Sequence, residues 1–253
     1  MTPSSSTARI DFVESFVAAA RRFASAVDGG DLGAQVPACP TWTAYDVVVH
    51  LGNVHAWAAT IVETGKRAEK QDDRPKHRRP IVVSEWYAAK AEDLYAVLRS
   101  ADPDAEAWNF AGMQATKAFW IRRQAHETTM HLVDLKQATG RRPTLDPLLS
   151  TDGIAEVFEV FLPRMHARGA RTDLEEPITF RTPDTDHVWT LEPRHDAAPA
   201  VAVRIEPGAD LIEAPAAALL KLLWKRAGTD HPEVNYVGNA DRIERFVASR
   251  LTP

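Results

Sequence analysis

The sequence predicts a two-domain α+β protein, with an N-terminal four-helix bundle over residues 8–149 and a smaller α+β domain over residues 150–253. Two observations support this class. Apolar residues recur at helical spacing in long stretches that end before Pro143. Beyond Pro177, apolar and polar residues alternate as they do in strands. Long helices followed by short strands and helices are typical of a bundle joined to an α+β domain.

Two helices are predicted in the first part of the chain. The first runs from Asp11 to Val27 on an apolar stripe. The second follows Thr43 to Asp46, which resembles a capping box, and ends at Gly65. Its apolar stripe carries His50, and burying an unpaired imidazole costs on the order of a few kcal/mol. His50 is therefore predicted to be either a hydrogen-bonded core residue or a metal ligand.

A basic segment separates the second and third helices, and its cationic residues are Arg74, Lys76, His77, Arg78 and Arg79. Pro75 and Pro80 mark this segment as a loop. The pattern is compatible with a solvated loop and with an anion-binding lid. The third helix is predicted from Ser84 to Arg99.

The fourth helix is predicted from a run without Gly or Pro between Met113 and Thr139. At about 100° per residue, Glu127 and His131 project from one face, one turn apart. Trp120 and Asp134 fall in the same arc. A carboxylate and a neutral imidazole at this spacing can hold one divalent cation. The same spacing is also common for solvated pairs on surface helices.

Taken together, His50, Glu127 and His131 predict a three-ligand metal site inside the bundle. Three protein ligands leave a coordination position open, as in catalytic sites. Asp134, one turn beyond His131, is predicted to orient a ligand or face the substrate. Cys39 is the one cysteine, which excludes a Cys-rich zinc site and an internal disulfide.

The C-terminal domain is predicted to mix helices with short strands. The predicted elements are a helix at 151–168, a hairpin at 178–191, a strand at 200–205, a helix that begins at Pro215 and ends before Gly228, a strand at 234–237 and a helix at 241–250.

Composition narrows the function classes. The net charge of -5 and the pI near 6.0 argue against nucleic-acid binding, which needs a basic face. The first residues lack the pattern of a signal peptide, and no apolar run approaches membrane-spanning length. We therefore expect a cytoplasmic protein that has no membrane or nucleic-acid partner. The sequence does not determine its oligomeric state.

Several motifs resemble the mycothiol-dependent maleylpyruvate isomerase family, whose N-terminal domain is a DinB-like four-helix bundle. The matching stretches are Cys39 to Trp42, Asp46 to Leu51, Arg122 to Asp134, Leu222 to Arg226 and Val237 to Asn239. The resemblance covers nearly the whole chain.

The resemblance implies zinc, or another divalent metal, held by His50, Glu127 and His131, and mycothiol as a thiol cofactor. Zinc would lower the pKa of the thiol, and the thiolate would attack a small electrophile. The implied reaction is cis-trans isomerisation of maleylpyruvate or thiol S-transfer. In this family an arginine of the C-terminal domain reaches toward the metal pocket, which implies that Arg226 binds the substrate or the cofactor.

Two other classes of function remain open from the sequence. The bundle could be a non-catalytic module that binds a small ligand or a partner, with a structural metal or none. It could also be a metal-dependent hydrolase that uses zinc-bound hydroxide, with Asp134 or a nearby carboxylate as base. A metal that is accessible to substrate would distinguish either enzyme from the non-catalytic module. A requirement for a thiol would distinguish the mycothiol-dependent enzyme from the hydrolase.

Overall fold

The structure, a computed structural model, describes residues 9–112 and 115–253. It divides between Pro143 and Thr144 into two compact units. The N-terminal unit is helical, and the C-terminal unit combines helices with a five-stranded sheet. The predicted α+β class, with a four-helix bundle first, is confirmed.

Four long helices form the N-terminal unit: α1 (Phe12–Asp28), α2 (Ala44–Thr64), α3 (Pro80–Ser100) and α4 (Lys117–Ala138). Helix α1 runs parallel to α4, since Phe12 contacts His126 at one end and Arg141 donates to Gly29 just beyond the other. Helix α2 runs antiparallel to α4 and parallel to α3. The antiparallel pair α2 and α4 carries the predicted metal ligands.

The parallel arrangement of α2 and α3 requires a connection that returns along the bundle. Residues 65–79 make this return and are fastened to α2. The Asn53 side chain donates to the Asp73 carbonyl at 2.8 Å and accepts from the Asp73 amide at 2.9 Å. The guanidinium of Arg78 lies 4.2 Å from the ring centre of Tyr45. The basic loop therefore lies against the first half of α2.

Local signals set the ends of α2. Thr43 and Asp46 form the predicted capping box, in which each side chain bonds the other residue's backbone amide. Gly65 ends the helix at φ 70°, a left-handed conformation that favours glycine. Before α2, the chain forms a hairpin of β1 (Gln35–Val36) and β2 (Cys39–Thr43), which the sequence patterns did not predict.

Two helix starts differ from the predictions. Helix α3 begins at Pro80 rather than Ser84, because proline is well suited to a first helical position, where no amide donor is needed. Helix α4 begins at Lys117, after Thr116, although the sequence run extends back to Met113. Met113 itself lies outside the described residues.

The core of the bundle contains a histidine that the sequence patterns missed. His55 is fully buried, and its ring nitrogens hydrogen-bond Gln124 at 2.9 Å and Tyr87 at 3.2 Å. The ring of Phe16 packs edge-on against it at 5.3 Å. Burial lowers the pKa of His55 to about 4, so its imidazole is neutral at neutral pH. His55 links three helices through the bundle interior.

The C-terminal unit is built on a five-stranded sheet in the order β5-β4-β3-β6-β7. Its strands are β3 (Ile178–Thr182), β4 (His187–Glu192), β5 (Ala200–Ala202), β6 (Asp210–Glu213) and β7 (Asn235–Val237). The predicted hairpin is the antiparallel pair of β3 and β4. Strand β6, absent from the predictions, pairs parallel with β3. Strand β5 ends at Ala202, earlier than predicted.

The remaining helices are α5 (Pro147–Glu156), α6 (Leu162–Ala167), α7 (Ala216–Leu223) and α8 (Ala240–Ala248). A π-helical segment, Val157–Phe161, joins α5 to α6, where the sequence predicted one helix. Asp210 of β6 accepts from the Asn239 amide and from the Arg242 guanidinium, which fixes the start of α8 on the sheet. The motif that ends at Asn239 thus has a structural role here.

No helix among the described residues is both long and apolar enough to span a membrane.

The buried His55 predicts a pH dependence of stability. The unfolded chain takes up a proton near its ordinary pKa of 6.5, whereas the folded chain resists protonation down to about 4. The stability contributed by neutral His55 is therefore complete above 6.5 and lost as the pH falls toward 4. Between about pH 7 and about pH 5, we expect His55 by itself to contribute a loss of about 2 kcal/mol in the free energy of unfolding.

Urea unfolding of the metal-free protein at both pH values measures this loss. The His55→Phe variant should lack it, whereas His77→Gln, at an exposed loop position, should retain it. An equal pH dependence in wild type and His55→Phe would contradict the assignment.

Candidate metal centre

Three side chains of metal-ligand type converge between α2 and α4. His50 projects from α2, while Glu127 and His131 lie one turn apart on α4. Glu127 Oε1 lies 3.6 Å from His50 Nε2 and 3.4 Å from His131 Nε2. One donor atom from each residue lies within 4.8 Å of the others. The antiparallel packing of two helices thus produces a cluster that neither helix contains alone.

The donor set and its spacing fit a tetrahedral zinc ion. Zinc bonds to nitrogen and oxygen of about 2.0–2.1 Å place two tetrahedral ligands about 3.4 Å apart. The two Oε1 to Nε2 separations, 3.6 and 3.4 Å, are close to this value. His50 retains 32% of its side-chain exposure, so the cluster can be reached from solvent. The residues present therefore fit an accessible metal ion with three protein ligands.

Asp134 lies behind the cluster. Its carboxylate bonds Nδ1 of His131 at 2.9 Å, which leaves Nε2 to face Glu127. Burial alone would lower the pKa of His131, but the contacts with Asp134 and Glu127 raise it to about 9. A carboxylate on the second ring nitrogen is the usual arrangement for a metal-binding histidine. This geometry agrees with the role predicted for Asp134.

Arg123 contacts the cluster from the other side of Glu127. Its Nη2 lies 2.6 Å from Glu127 Oε2, and its side chain is 2% exposed. Burial alone would raise the pKa of Glu127, but Arg123 and the two imidazoles hold it well below its usual range. Glu127 is therefore charged, as a metal ligand must be. Arg123 was not among the predicted site residues, although its spacing of four from Glu127 was a signal.

Trp42, at the end of the β1–β2 hairpin, covers the imidazoles. Its ring centre lies 4.9 Å from that of His50 and 6.4 Å from that of His131, and it stacks on the second at 18°. The hairpin is held to the bundle, since Ala44 donates to the Ala34 carbonyl at 2.8 Å. Trp42 appeared in the sequence only within a motif, and no spacing rule assigned it to the cluster.

Other predicted residues lie elsewhere. Trp120, two turns before Glu127, packs edge-on against Trp57 at 5.0 Å and belongs to an aromatic cluster in the core. His50 is half-buried, so the fully buried histidine of α2 is His55 instead. Cys39 lies on β2 and is partly buried.

Arg226 lies in the C-terminal unit, just beyond α7. Lys225 adopts a left-handed conformation at φ 60°, and the Arg226 amide bonds the Lys221 carbonyl at 2.7 Å, as in a helix-ending turn. The guanidinium donates to the Trp224 carbonyl at 2.6 Å and lies 5.6 Å from the Trp224 ring centre. These contacts are those of a residue at a helix C-terminus, and its binding role stays a prediction.

The fold and the cluster together define a four-helix-bundle domain with a His/Glu/His constellation of metal-ligand type. Residues 13–136 match the family described as the mycothiol maleylpyruvate isomerase N-terminal domain. The N-terminal unit therefore belongs to this domain family, and the resemblance predicted from the motifs is confirmed.

Solved structures extend the likeness of the fold to most of the chain. The crystal structure of the mycothiol-dependent maleylpyruvate isomerase aligns with a TM-score of 0.60 at 12% identity, covering 89% of this chain and 91% of that one. The crystal structure of a mutant of that enzyme gives the same values. No curated protein matches this chain significantly.

The contact between Asp134 and His131 predicts a measurable pKa change. In the metal-free protein, Asp134→Asn should lower the pKa of His131 from about 9 toward its ordinary value of 6.5, because the charge that stabilises the imidazolium is removed. NMR titration of the imidazole resonances measures this shift. Asp93→Asn, on the exposed face of α3, should leave the pKa of His131 unchanged. A His131 pKa unchanged by Asp134→Asn would show that the hydrogen bond does not control the ring.

Proposed function

We propose that this protein is a zinc- and mycothiol-dependent enzyme that acts on a small electrophile, by cis-trans isomerisation of a maleylpyruvate-like substrate or by thiol S-transfer. The convergence of His50, Glu127 and His131 at tetrahedral spacing carries the proposal. Membership of the N-terminal unit in its domain family supports the choice of mycothiol. The fold shared with the maleylpyruvate isomerase structure agrees with it.

Each residue of the cluster has a separate task in this proposal. His50, Glu127 and His131 hold the metal, and Asp134 holds the ring of His131 so that Nε2 faces it. When bound, zinc lowers the pKa of a thiol that takes the open position, and so provides a thiolate at neutral pH. The ring of Trp42 lies against the two imidazoles and gives the site an apolar wall.

The isomerisation needs no proton source other than the thiol in this scheme. A thiolate supplied by the cofactor would add to a carbon of the cis double bond, and the electron pair of that bond would move onto the conjugated carbonyl of the substrate. Rotation about the carbon–carbon bond that had been double would follow, and expulsion of the thiolate would restore the double bond in the trans form. In S-transfer the enolate would instead take up a proton from water, and the thioether adduct would be released.

Metal analysis of variants tests the ligand set. His50→Ala, Glu127→Ala and His131→Ala should each lose most of the bound zinc, because two remaining ligands hold the ion weakly. His77→Ala, an exposed histidine of the basic loop, should bind zinc as wild type does. Asp134→Asn should weaken binding by about 10- to 100-fold without abolishing it. Near-stoichiometric zinc in all three ligand variants would remove the site.

Dependence on an added thiol tests the mechanism. The zinc-loaded protein should convert maleylpyruvate, or consume an electrophile from a panel, only when mycothiol is present. Cys39→Ser should retain this activity, because the cofactor supplies the nucleophile. Turnover without thiol would favour a zinc-dependent hydrolase, and zinc binding without any turnover would favour a binding module. Loss of turnover in Cys39→Ser with fold and zinc intact would point to a protein thiolate.

For Arg226 we propose the role that the family resemblance implies, which is binding a carboxylate of the substrate or a polar group of the thiol. A guanidinium can hold a carboxylate through two parallel hydrogen bonds, which an ammonium cannot. Arg226→Lys should therefore keep the fold and the zinc but lose about 10-fold or more in kcat/KM, in line with one charge-assisted hydrogen bond. Steady-state kinetics measures the loss, with Arg181→Lys on β3 as a control. Unchanged kinetics in both Arg226→Lys and Arg226→Ala would leave this residue only its helix-end contacts.

A further inference from the structure

Arg123 is a buried cation of α4 beside the proposed metal ligands, and the proposed reaction does not assign it a role. Arg123 exposes 2% of its side chain, and a guanidinium in such a place is stable only when paired with an anion. Its Nη2 lies 2.6 Å from Glu127 Oε2, a short charge-assisted contact. Since α4 holds both residues one turn apart, this pair is fixed by the helix itself.

The two oxygens of Glu127 consequently have different surroundings. Oε1 faces the cluster, 3.6 Å from Nε2 of His50 and 3.4 Å from Nε2 of His131. Oε2 points back along α4 to the guanidinium of Arg123. A carboxylate held in this way presents one oxygen, not two, to an ion between the imidazoles.

We propose that Arg123 is a positioning residue that restricts Glu127 to a single metal-ligating oxygen and thereby keeps one coordination position open for the thiol. The inference rests on the proposed metal site and deepens it. Carboxylates bind cations with one oxygen or with two. A second Glu127 oxygen would add a fourth protein donor to the zinc and crowd the position that the thiol requires, whereas an oxygen bound to Arg123 is withheld from the ion.

Arg123 also changes the charge of the site. Zinc with two neutral imidazoles and one carboxylate has a net charge of about +1, and a guanidinium next to that carboxylate adds a second positive charge nearby. A more cationic site favours an anionic sulfur over a neutral ligand. Both effects act in the same direction, because each leaves the open position suited to a thiolate.

Cobalt substitution provides a readout that does not depend on activity. Four-coordinate cobalt(II) absorbs visible light several-fold more strongly than five- or six-coordinate cobalt(II), so the spectrum reports how many positions are filled. Wild type should give the strong four-coordinate spectrum. Arg123→Met should bind cobalt in equal amount but absorb several-fold less, since two Glu127 oxygens, the two imidazoles and a water molecule would then make the ion five-coordinate. Arg123→Lys, which keeps a cation, should retain most of the intensity.

The matched control is Lys136→Met, which removes a positive charge from the last turn of the same helix, where the neighbouring charges are Arg22 and Arg141. Its spectrum should equal that of wild type. A spectrum of Arg123→Met identical to wild type at equal cobalt content would overturn the role of Arg123 while leaving the metal site intact. Absence of cobalt and zinc binding in wild type would remove the metal site and this inference together.

If Arg123→Met does not fold, a crystal structure of the zinc-loaded wild type tests how many Glu127 oxygens bind the metal. The expected result is one Glu127 oxygen on zinc and the other on Arg123. Two Glu127 oxygens on zinc, with Arg123 displaced, would overturn the proposal.

Discussion

The packing of α2 against α4 is the constraint on which the candidate site depends. The two helices run antiparallel, so His50 in the first half of α2 meets Glu127 and His131 in the second half of α4. The same packing places His55 against Gln124, with a hydrogen bond of 2.9 Å in the core. A buried hydrogen bond of this kind specifies register, because sliding one helix would leave both polar groups unpaired.

Buried polar residues support the site in two layers. Near the cluster, Asp134 orients His131 and Arg123 engages Glu127, so each α4 ligand is held by a second residue of its own helix. Farther along the bundle, His55 is shared between Gln124 and Tyr87. Burial of the His55 imidazole is tolerated because both of its ring nitrogens have partners. The orientations of Glu127 and His131 are therefore held by neighbouring side chains of α4.

The C-terminal unit shows how a motif can be recognised without its role being known. The stretch that ends at Asn239 contributed to the family resemblance, yet its visible contacts anchor α8 to β6 through Asp210. Arg226 similarly has helix-end contacts with Trp224. The helix-end contacts of Arg226 do not show whether it also binds a substrate or a cofactor. Kinetics of the Arg226 variants can distinguish a structural role from a binding role.

The sequence by itself determined the helices of the bundle, the capping box of α2, and the pair Glu127 and His131, because these depend on local spacing along one chain segment. It also singled out His50 as a ligand candidate. Only the tertiary structure decided that His50 lies 3.6 Å from Glu127 and that the fully buried histidine is His55. Helical periodicity identifies a face but not which helix packs against it.

Contacts between residues far apart in the chain also determine features that the sequence patterns did not predict. Trp42 comes to the cluster through a short hairpin, and β6 pairs with β3 across intervening chain, so neither has a local signature. Arg123 had the right spacing from Glu127, but an arginine at that spacing is as easily a solvated surface residue. Its burial identifies it as part of the site, because a guanidinium removed from water requires an anion beside it.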